Sequence, residues 1–355
     1  MADSSQKPSV SIIIPVRNEA RYIEDLLEQA AAQDYKGPIE VLIADGESDD
    51  GTKELISGWA ANRKSEEGGA DLHLTVVDNP SRYVSHGLNA VLRVACGKYI
   101  VRWDAHTVYA TDYVSKCIEW KERTEAKNVG GPARTKYKGY ISQAVCAAYH
   151  SPFSVGGARF HDVGYEGEVD TVVYGCWDRD YLVSIGGFDE ELVRNQDDEL
   201  NLRITRRGDM VYQSPEIVSW YYPRSSLTAL FKQYFQYGYW KVRVIQKHTL
   251  PASPRHLVPI VFILGLVVGA GLSFLHPFLF LLYSISIGVY ILGSILFSLM
   301  AVREYSISIL PVLPLVFFIY HVSYGVGFFL GIVDFYILRK GGSTASSTIT
   351  SGLSR

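Results

Sequence analysis

The sequence predicts an α/β domain with a mostly parallel sheet flanked by helices, followed by an amphipathic helix and an all-α transmembrane region. In the first part of the chain, short β-branched runs alternate with stretches of helical periodicity, which is typical of parallel sheets with right-handed crossovers. Beyond residue 255 lie three apolar stretches, each long enough to cross a hydrocarbon core that needs about 20 residues. We therefore assign residues 9–225 to the α/β domain, 226–250 to the amphipathic helix, 256–338 to about three membrane spans and 341–355 to a disordered tail.

The elements of the α/β domain follow from local patterns. The β-branched runs predict strands at Val10–Pro15, Ile39–Ala44, Leu72–Val77 and Tyr99–Trp103. Amphipathic spacing predicts helices at Tyr22–Gln33, Thr52–Trp59 and Gly87–Cys96, and later at Asn195–Arg207 and Leu227–His248. Ligands of parallel sheets bind beyond the carboxyl ends of the strands, and the acidic turns that begin at Asp45 and Asp104 fall there.

The composition and the first residues indicate the kind of partner and the compartment of the protein. The 355 residues carry 34 Lys and Arg against 37 Asp and Glu, so no basic field favours nucleic acid as a partner. The four cysteines have no paired metal-ligand spacing and are expected to be reduced, mostly buried thiols of a cytoplasmic domain. The polar segment Met1–Ser9 lacks the apolar core of a signal peptide, so we expect the first domain to stay in the cytoplasm.

The turn Asp104-Ala105-His106 places two potential metal ligands directly after a predicted strand. A carboxylate oxygen and an imidazole, one residue apart, suit Mn²⁺ or Mg²⁺ that holds a diphosphate. The alternative is a solvated turn with a capping aspartate. No glycine-rich phosphate loop follows any predicted strand, so a diphosphate must be neutralised by metal and basic side chains.

Two further acidic segments are candidates for chemistry. Asp45 ends a strand and is placed to bind metal or to accept hydrogen bonds from a nucleotide, whereas Ser48, Asp49 and Asp50 favour Asx-turn and capping roles. Asp197 lies at the start of a predicted helix, where acids interact favourably with the helix dipole. In a partly closed pocket the same carboxylate would act as a general base toward a sugar hydroxyl.

The predicted helix Leu227–His248 is amphipathic, basic and aromatic, as expected of a helix at a bilayer interface. Its apolar stripe comprises Leu227, Leu230, Phe231, Tyr234, Phe235, Val242 and Ile245. Gln236 and Trp240 share the opposite face, where they either line a site or pack without a functional role. The spans that follow are His256–Leu275, Phe278–Val302 and Ile307–Ile337.

The order of these motifs resembles that of family-two inverting glycosyltransferases with a GT-A fold, in particular the ExoA-like succinoglycan glucosyltransferase type. The likeness runs from Ser9 to Lys247. Five motifs carry it, namely Ile12–Glu19, Asp45–Thr52, Asp104–His106, Gly187–Glu190 and Gln196–Arg203.

The resemblance implies a donor site in which Pro15, Arg17 and Glu19 border the nucleotide and Asp45 meets the uracil. Asp104 and His106 would correspond to the family's D-x-D motif and hold a metal, Mn²⁺ or Mg²⁺. Asp104 would contact the donor through this metal. Asp197 would be the inverting catalytic base, with Gln196 where the family has Glu.

On the acceptor side, the resemblance implies a wall shaped by Gly130, Gly131 and Pro132. Gln236 and Trp240 match the family's Q-x-x-R-W motif, in which Tyr239 stands in the arginine position. Loss of that arginine removes a bidentate phosphate ligand, so processive synthesis is not assumed. Three spans after the catalytic domain make a poor polysaccharide channel, and a single sugar addition is therefore expected rather than processive synthesis.

The implied function is transfer of a sugar from a nucleotide-diphosphate donor such as UDP-glucose to a polyprenyl-diphosphate-linked saccharide, in polysaccharide biosynthesis. The expected localisation is a multi-pass position in the cell membrane, with the catalytic domain on the cytoplasmic side and membrane lipid as a partner. A polyprenyl-phosphate glycosyltransferase and a non-catalytic membrane scaffold or nucleotide-sugar sensor are the alternatives. Three spans would place the C-terminus outside, whereas Arg339 and Lys340 favour the cytoplasmic side, and Pro311 and Pro314 allow the third stretch to divide.

Overall fold

The computed structural model describes residues 9–64, 72–251 and 253–341, and the chain divides into two compact units. The first unit contains the residues before 135 together with 162–221, and the second contains 135–161 and the residues from 222 onward. The insertion of residues 135–161 into the second unit is not visible in the local sequence pattern. The predicted disordered tail lies outside the described residues, apart from Gly341.

The first unit is built on an eight-stranded sheet with the order β3-β2-β1-β4-β9-β6-β10-β8, and a three-stranded sheet has the order β5-β11-β7. The strands are β1 Val10–Val16, β2 Ile39–Asp45, β3 His73–Asp78, β4 Tyr99–Arg102, β5 Thr107–Tyr109, β6 Asn128–Gly130, β7 Arg134–Thr135, β8 Gly167–Glu168, β9 Gly175–Asp178, β10 Val211–Gln213 and β11 Ser219–Tyr221. Strands β1 to β4 are parallel to one another, whereas β9 runs antiparallel between β4 and β6. The mostly parallel sheet predicted from the sequence is confirmed.

Helices pack on both faces of the large sheet. They are α1 Ile23–Ala31, α2 Thr52–Lys64, α3 Val84–Val94, α4 Tyr113–Arg123, α7 Arg179–Ser184 and α8 Gln196–Arg206. Because β1 alternates its side chains between the two faces, Ile12 and Ile14 belong to one core and Ile13 to the other. All three isoleucines are fully buried, which fixes the register of the strand that leads to the site.

The second unit is helical. Its helices are α5 Tyr140–Tyr149, α6 Pro152–Val155, α9 Leu227–His248, α10 Val258–Ser273, α11 Pro277–Ala301 and α12 Leu313–Ile332, which continues as a π-helical turn over Val333–Ile337. Three segments of the described chain are long and apolar enough to cross a membrane, namely Pro254–Ser273, Pro277–Ala301 and Leu313–Ile337.

Gly131 is required by packing in the first unit. A Cβ atom at this position would collide with the backbone carbonyl oxygen of Ile217. We expect Gly131→Ala to destabilise the protein by about 3 kcal/mol, because the obstructing atom belongs to the backbone and cannot change rotamer. The measurement is the midpoint of thermal unfolding.

Gly58→Ala is the matched control for this substitution. Gly58 lies within α2, and nothing stands within 4 Å of the added methyl group. The same change is expected to stabilise the protein by up to about 1 kcal/mol through helix propensity. Equal unfolding midpoints for Gly131→Ala and the wild type would show that the backbone at Ile217 yields easily.

Candidate active site

The candidate site lies where the direction of the sheet order reverses. From β1 the chain proceeds to β2 and β3 on one side, and β4 then joins the other side of β1. Ligands in open α/β sheets bind in the crevice that forms at such a point, beyond the carboxyl ends of the strands. Pro15 lies near the end of β1, past the residues that pair with β4, so its missing N–H disrupts no hydrogen bond to β4.

The loops that follow β1 and β2 are joined by side-chain hydrogen bonds. Asn18 donates through Nδ2 to Asp49 Oδ1 (2.8 Å) and accepts at Oδ1 from the backbone N–H of Asp49 (3.0 Å). Asp50 accepts from the backbone N–H of Ala20 (3.0 Å) and from the Thr52 hydroxyl. The turn and capping roles predicted for Asp49 and Asp50 agree with these bonds, which hold the two loops together.

Asp45 is the last residue of β2 and is completely buried. Its Oδ2 lies 3.2 Å from Lys53 Nζ and accepts the backbone N–H of Ser48, while Oδ1 has no hydrogen-bond partner among the described residues. Lys53 also contacts Asp78, and its hydrogen bonds to Asp78 and Asp45 raise the pKa of its ammonium group. Since a buried acceptor without a partner is costly, Asp45 Oδ1 is a candidate acceptor for a ligand N–H.

Asp104 stands in the turn after β4, and an aromatic stack fixes the turn. Its backbone N–H donates to the hydroxyl of Tyr109 (2.7 Å), whose ring stacks on Trp103 at a centroid distance of 4.0 Å. Burial raises the pKa of the Tyr109 hydroxyl well above its usual range, so this hydroxyl stays protonated. The Asp104 side chain remains partly exposed and therefore accessible to a ligand.

Arg102 connects the two carboxylates to which the sequence assigns chemistry. Its side chain is 4% exposed; Nη2 donates to both oxygens of Asp104 (3.0 and 3.3 Å), and Nη1 donates to Asp197 Oδ1. No role for Arg102 is among the expectations from the sequence. A signal was present, because residues two apart in an extended segment face the same side and Arg102 precedes Asp104 by two.

His106 pairs with a carboxylate from the first loop. Its Nδ1 lies 3.4 Å from Glu19 Oε1, and its ring lies beside those of Tyr22 and Tyr221. The contact is within ion-pair distance but is not a hydrogen bond, since His106 Nδ1 has no hydrogen-bond partner among the described residues. A carboxylate beside the imidazole is nevertheless a common feature of histidines that bind metal. In the described part of the chain, no group of three or more His, Cys, Asp or Glu side chains is placed to hold a metal. Any ion here would take its remaining ligands from substrate and water.

The acids at the start of α8 face different partners. Asp197 reaches Arg102, whereas Glu199 is buried and pairs with Arg203 at 2.6 Å within the same helix. Glu199 therefore has a structural partner, and Asp197 is the acid of this helix that lies at the strand ends. Gln196 is buried beside it.

The remaining predicted residues occupy other surroundings. Arg17 packs its side chain over Gly46, next to Asp45. Gly131 has the packing role described above. Gln236 and Trp240 belong to the second unit, where both are buried within α9, and Trp240 Nε1 has no hydrogen-bond partner among the described residues. The apolar stripe predicted for α9 is buried in part, since Leu230 and Val242 are buried and Phe231 is exposed. Residues outside the stripe are buried as well, namely Gln236, Tyr239, Trp240 and Lys241.

A sheet of this order with acidic turns at its carboxyl edge defines a GT-A fold. The sequence profile described as "Glycosyl transferase family 2" matches residues 11–143. The succinoglycan biosynthesis protein ExoA of Rhizobium meliloti is 31% identical over 262 residues, which cover 73% of this chain and 77% of that protein. Dolichyl N-acetyl-alpha-D-glucosaminyl phosphate 3-beta-D-2,3-diacetamido-2,3-dideoxy-beta-D-glucuronosyltransferase of Methanococcus voltae is 30% identical over 94% of this chain and 98% of its own length.

Among solved structures, the mannosyltransferase PcManGT of Pyrobaculum calidifontis, in complex with GDP-Man and Mn²⁺, superposes with a TM-score of 0.58. It is 20% identical, and the match covers 92% of this chain and 88% of that one, which is a likeness of fold. The chain belongs to glycosyltransferase family 2. It is a glycosyltransferase of polysaccharide or lipid-linked glycan biosynthesis that carries membrane-like helices.

Proposed function

We propose that this protein is a membrane-anchored, inverting and metal-dependent glycosyltransferase that moves a sugar from a nucleotide-diphosphate donor, such as UDP-glucose, to a polyprenyl-diphosphate-linked saccharide. One observation carries the proposal. At the carboxyl edge of the sheet, Arg102 holds Asp104 and Asp197 to one guanidinium group. One of these carboxylates would meet the diphosphate, and the other would meet the acceptor. The two therefore lie on either side of one cation.

The chain's own residues account for the main steps. Asp197 accepts the proton of the acceptor hydroxyl, whose oxygen attacks the anomeric carbon from the face opposite the diphosphate, so that a single displacement inverts the configuration. Arg102 fixes the position of Asp197, because its Nη1 donates to Asp197 Oδ1. The bond to the nucleoside diphosphate breaks as the new glycosidic bond forms.

The donor set at Asp104 and His106 fits Mn²⁺ or Mg²⁺. Asp104 provides a partly exposed carboxylate, and His106 provides an imidazole that lies 3.4 Å from Glu19 Oε1. A bound divalent cation would neutralise the charge that develops on the leaving diphosphate. The Pyrobaculum mannosyltransferase, which was solved in complex with Mn²⁺, supports such an ion in this fold.

Asp45 is proposed to bind the nucleobase, and its removal should affect donor binding selectively. We expect Asp45→Asn to raise the Michaelis constant for the donor about tenfold with little change in kcat, because a hydrogen bond to a charged group contributes about 1.5 kcal/mol. Steady-state kinetics with the donor varied measures both quantities.

Asp78→Asn is the control for this prediction. It removes the other carboxylate of Lys53 and leaves Asp45 in place. Since the Asp78 side chain is 82% exposed, we expect donor binding to be unchanged. The same rise in both variants would assign the effect to Lys53 and contradict the proposed role of Asp45.

The names of two relatives support a lipid-linked sugar as the acceptor. The Methanococcus protein is named for transfer to a dolichyl-linked sugar phosphate, and the Rhizobium protein for succinoglycan biosynthesis. We propose that the apolar helices hold the enzyme in the cell membrane with its catalytic unit on the cytoplasmic side, where nucleotide sugars are made. A transferase that acts on bare polyprenyl phosphate is the second candidate.

The test uses purified protein with a lipid extract, a panel of nucleotide sugars and either Mn²⁺, Mg²⁺ or a chelator. Metal-dependent release of nucleoside diphosphate, together with a lipid-linked saccharide heavier by one sugar, is the expected result. One sugar added to bare lipid phosphate would support the second candidate. Donor binding without turnover under any condition would contradict the proposed enzyme and support a sensor.

A further inference from the structure

Helices α9 and α12 lie side by side and run in the same direction. Gly238 of α9 lies against the backbone of Tyr324. Gly331 of α12 lies against Tyr239, whose carbonyl oxygen would be 2.7 Å from a Cβ atom added at Gly331. Farther along, Tyr239 donates its hydroxyl to Asp334 Oδ2 (2.7 Å) and Gln246 donates Nε2 to the carbonyl of Phe335 (3.0 Å). Residues later in α9 contact residues later in α12, so the two helices are parallel and have the same tilt relative to the bilayer.

Helix α9 is too polar to cross a membrane. Lys232, Lys241, Arg243 and Lys247 are distributed along its length, and each charge is costly at the centre of a bilayer. It is not among the described helices that qualify as spans. A basic amphipathic helix of this kind lies in the interface plane. Because α12 packs parallel to α9, it has the same orientation relative to the bilayer.

The surroundings of α12 differ from those of the other two apolar helices. Only 6% of the apolar stretch of α10, and 6% of that of α11, is buried within the protein, whereas in α12 the share is 44%. The first half of α12 packs against α5 through Val316 and Tyr320, which contact the cluster of Ala144 and Val145. Helix α5 has 10 residues and is too short to cross a bilayer, so it covers α12 from the membrane surface.

Helices α10 and α11 form an antiparallel hairpin, and α12 contacts the start of α10 and the second half of α11, where the Tyr290 hydroxyl and His321 Nδ1 are 2.9 Å apart. Within the hairpin, Tyr283 donates its hydroxyl to the carbonyl of Leu266 (3.3 Å), and Phe262 stacks on Tyr290. Gly325 of α12 abuts Pro259 in the first turn of α10. In the turn of the hairpin, the apolar side chains of Phe274 and Leu275 are 88% and 73% exposed.

The face of α12 that protein does not cover is an apolar stripe. Leu315, Phe318, Phe329 and Tyr336 are exposed and recur at helical spacing. This stripe is continuous with the apolar hairpin through the contact of α12 with α10. An in-plane helix needs such a face for the acyl chains, opposite a face packed on protein.

We propose that α12 lies in the plane of the membrane beside α9, with its exposed stripe in the acyl-chain boundary of one leaflet. The described part of the chain then crosses the bilayer twice, through α10 and α11, and Lys340 returns to the side from which α10 enters. This removes the conflict between three spans and the basic residues Arg339 and Lys340. The ion pair of Lys340 Nζ with Asp334 Oδ1 (2.8 Å) is then at an interface rather than beyond the opposite leaflet.

The test places single cysteines at three positions and labels them with a membrane-impermeant maleimide in sealed vesicles of either orientation. The background is Cys96→Ser, since Cys96 is the exposed cysteine and the other three are buried. Ser253→Cys reports the entry of α10, His276→Cys the turn of the hairpin and Gly341→Cys the end of α12. We expect Ser253→Cys and Gly341→Cys to label from one side and His276→Cys from the other.

Labelling of Gly341→Cys from the same side as His276→Cys would establish a third crossing and overturn the proposal. A second measurement does not depend on sidedness. Nitroxides at Phe318 and Phe329, about three helical turns apart, should have equal depths if α12 lies in plane and differ by about 16 Å if it spans. Neither experiment measures activity, so this inference can fail while the proposed function stands.

Discussion

Asp197→Asn should lower turnover by orders of magnitude while leaving donor binding intact. The amide is nearly the same size as the carboxylate but accepts no proton, so the acceptor hydroxyl loses its base and we expect kcat to fall about 10²–10⁴-fold. Arg102 keeps its contacts with Asp104, which preserves the donor side of the site. Nucleoside diphosphate release gives kcat, and equilibrium titration with the nucleotide gives the dissociation constant.

Asp180→Asn provides the matched control for this substitution. Asp180 is an exposed acid of α7 that pairs with Arg179 at 3.0 Å, and we expect its replacement to leave kcat unchanged. Full turnover by Asp197→Asn would disprove the assignment of the base. A loss of nucleotide binding equal to the loss of kcat would instead give Asp197 a structural role.

Arg102→Lys should also reduce activity strongly, although the charge is conserved. Arginine reaches Asp104 and Asp197 with two different nitrogens, whereas a lysine ammonium is a single point of contact. One carboxylate would be released from its position, and a displacement of about 1 Å in an active site costs about 10²-fold in rate. Kinetics at saturating donor and acceptor measure the loss.

Arg102→Met separates the structural part of this effect. It leaves two carboxylates without their shared cation, and we expect a loss of about 3 kcal/mol in stability. Adding Asp197→Asn should restore part of that loss, because one of the uncompensated charges is removed. The control is Arg93→Lys, at an exposed arginine of α3, for which no change is expected. Additive effects of the Arg102 and Asp197 changes would show that the two residues are not coupled.

Much of the first unit follows from local sequence. The starts of β1, β2, α2, β4 and α9 are at the predicted residues, because a β-branched run or a clear apolar period fixes each one. The carboxylates at the ends of β2 and β4 are recognisable for the same reason. The predicted burial of most cysteines is also confirmed.

What the sequence did not predict depends on long-range contacts. Strand β9 inserts antiparallel between β4 and β6, and its partners are more than forty residues away along the chain. The bridge from Arg102 to Asp197 joins residues 95 positions apart. Likewise, α9 buries residues both within and outside its apolar stripe because α12 packs against it, and the burial of Gln236, Tyr239 and Trp240 does not follow from its own periodicity.

Asn18 and Asp49 exchange two hydrogen bonds of opposite direction between separate loops. Both bonds lie at the surface, where water can take the place of either side chain, and the Asp49 N–H remains whatever residue stands at position 49. The pair therefore links two loops 31 residues apart in a reversible way, so that either loop can be released without leaving a buried group unpaired.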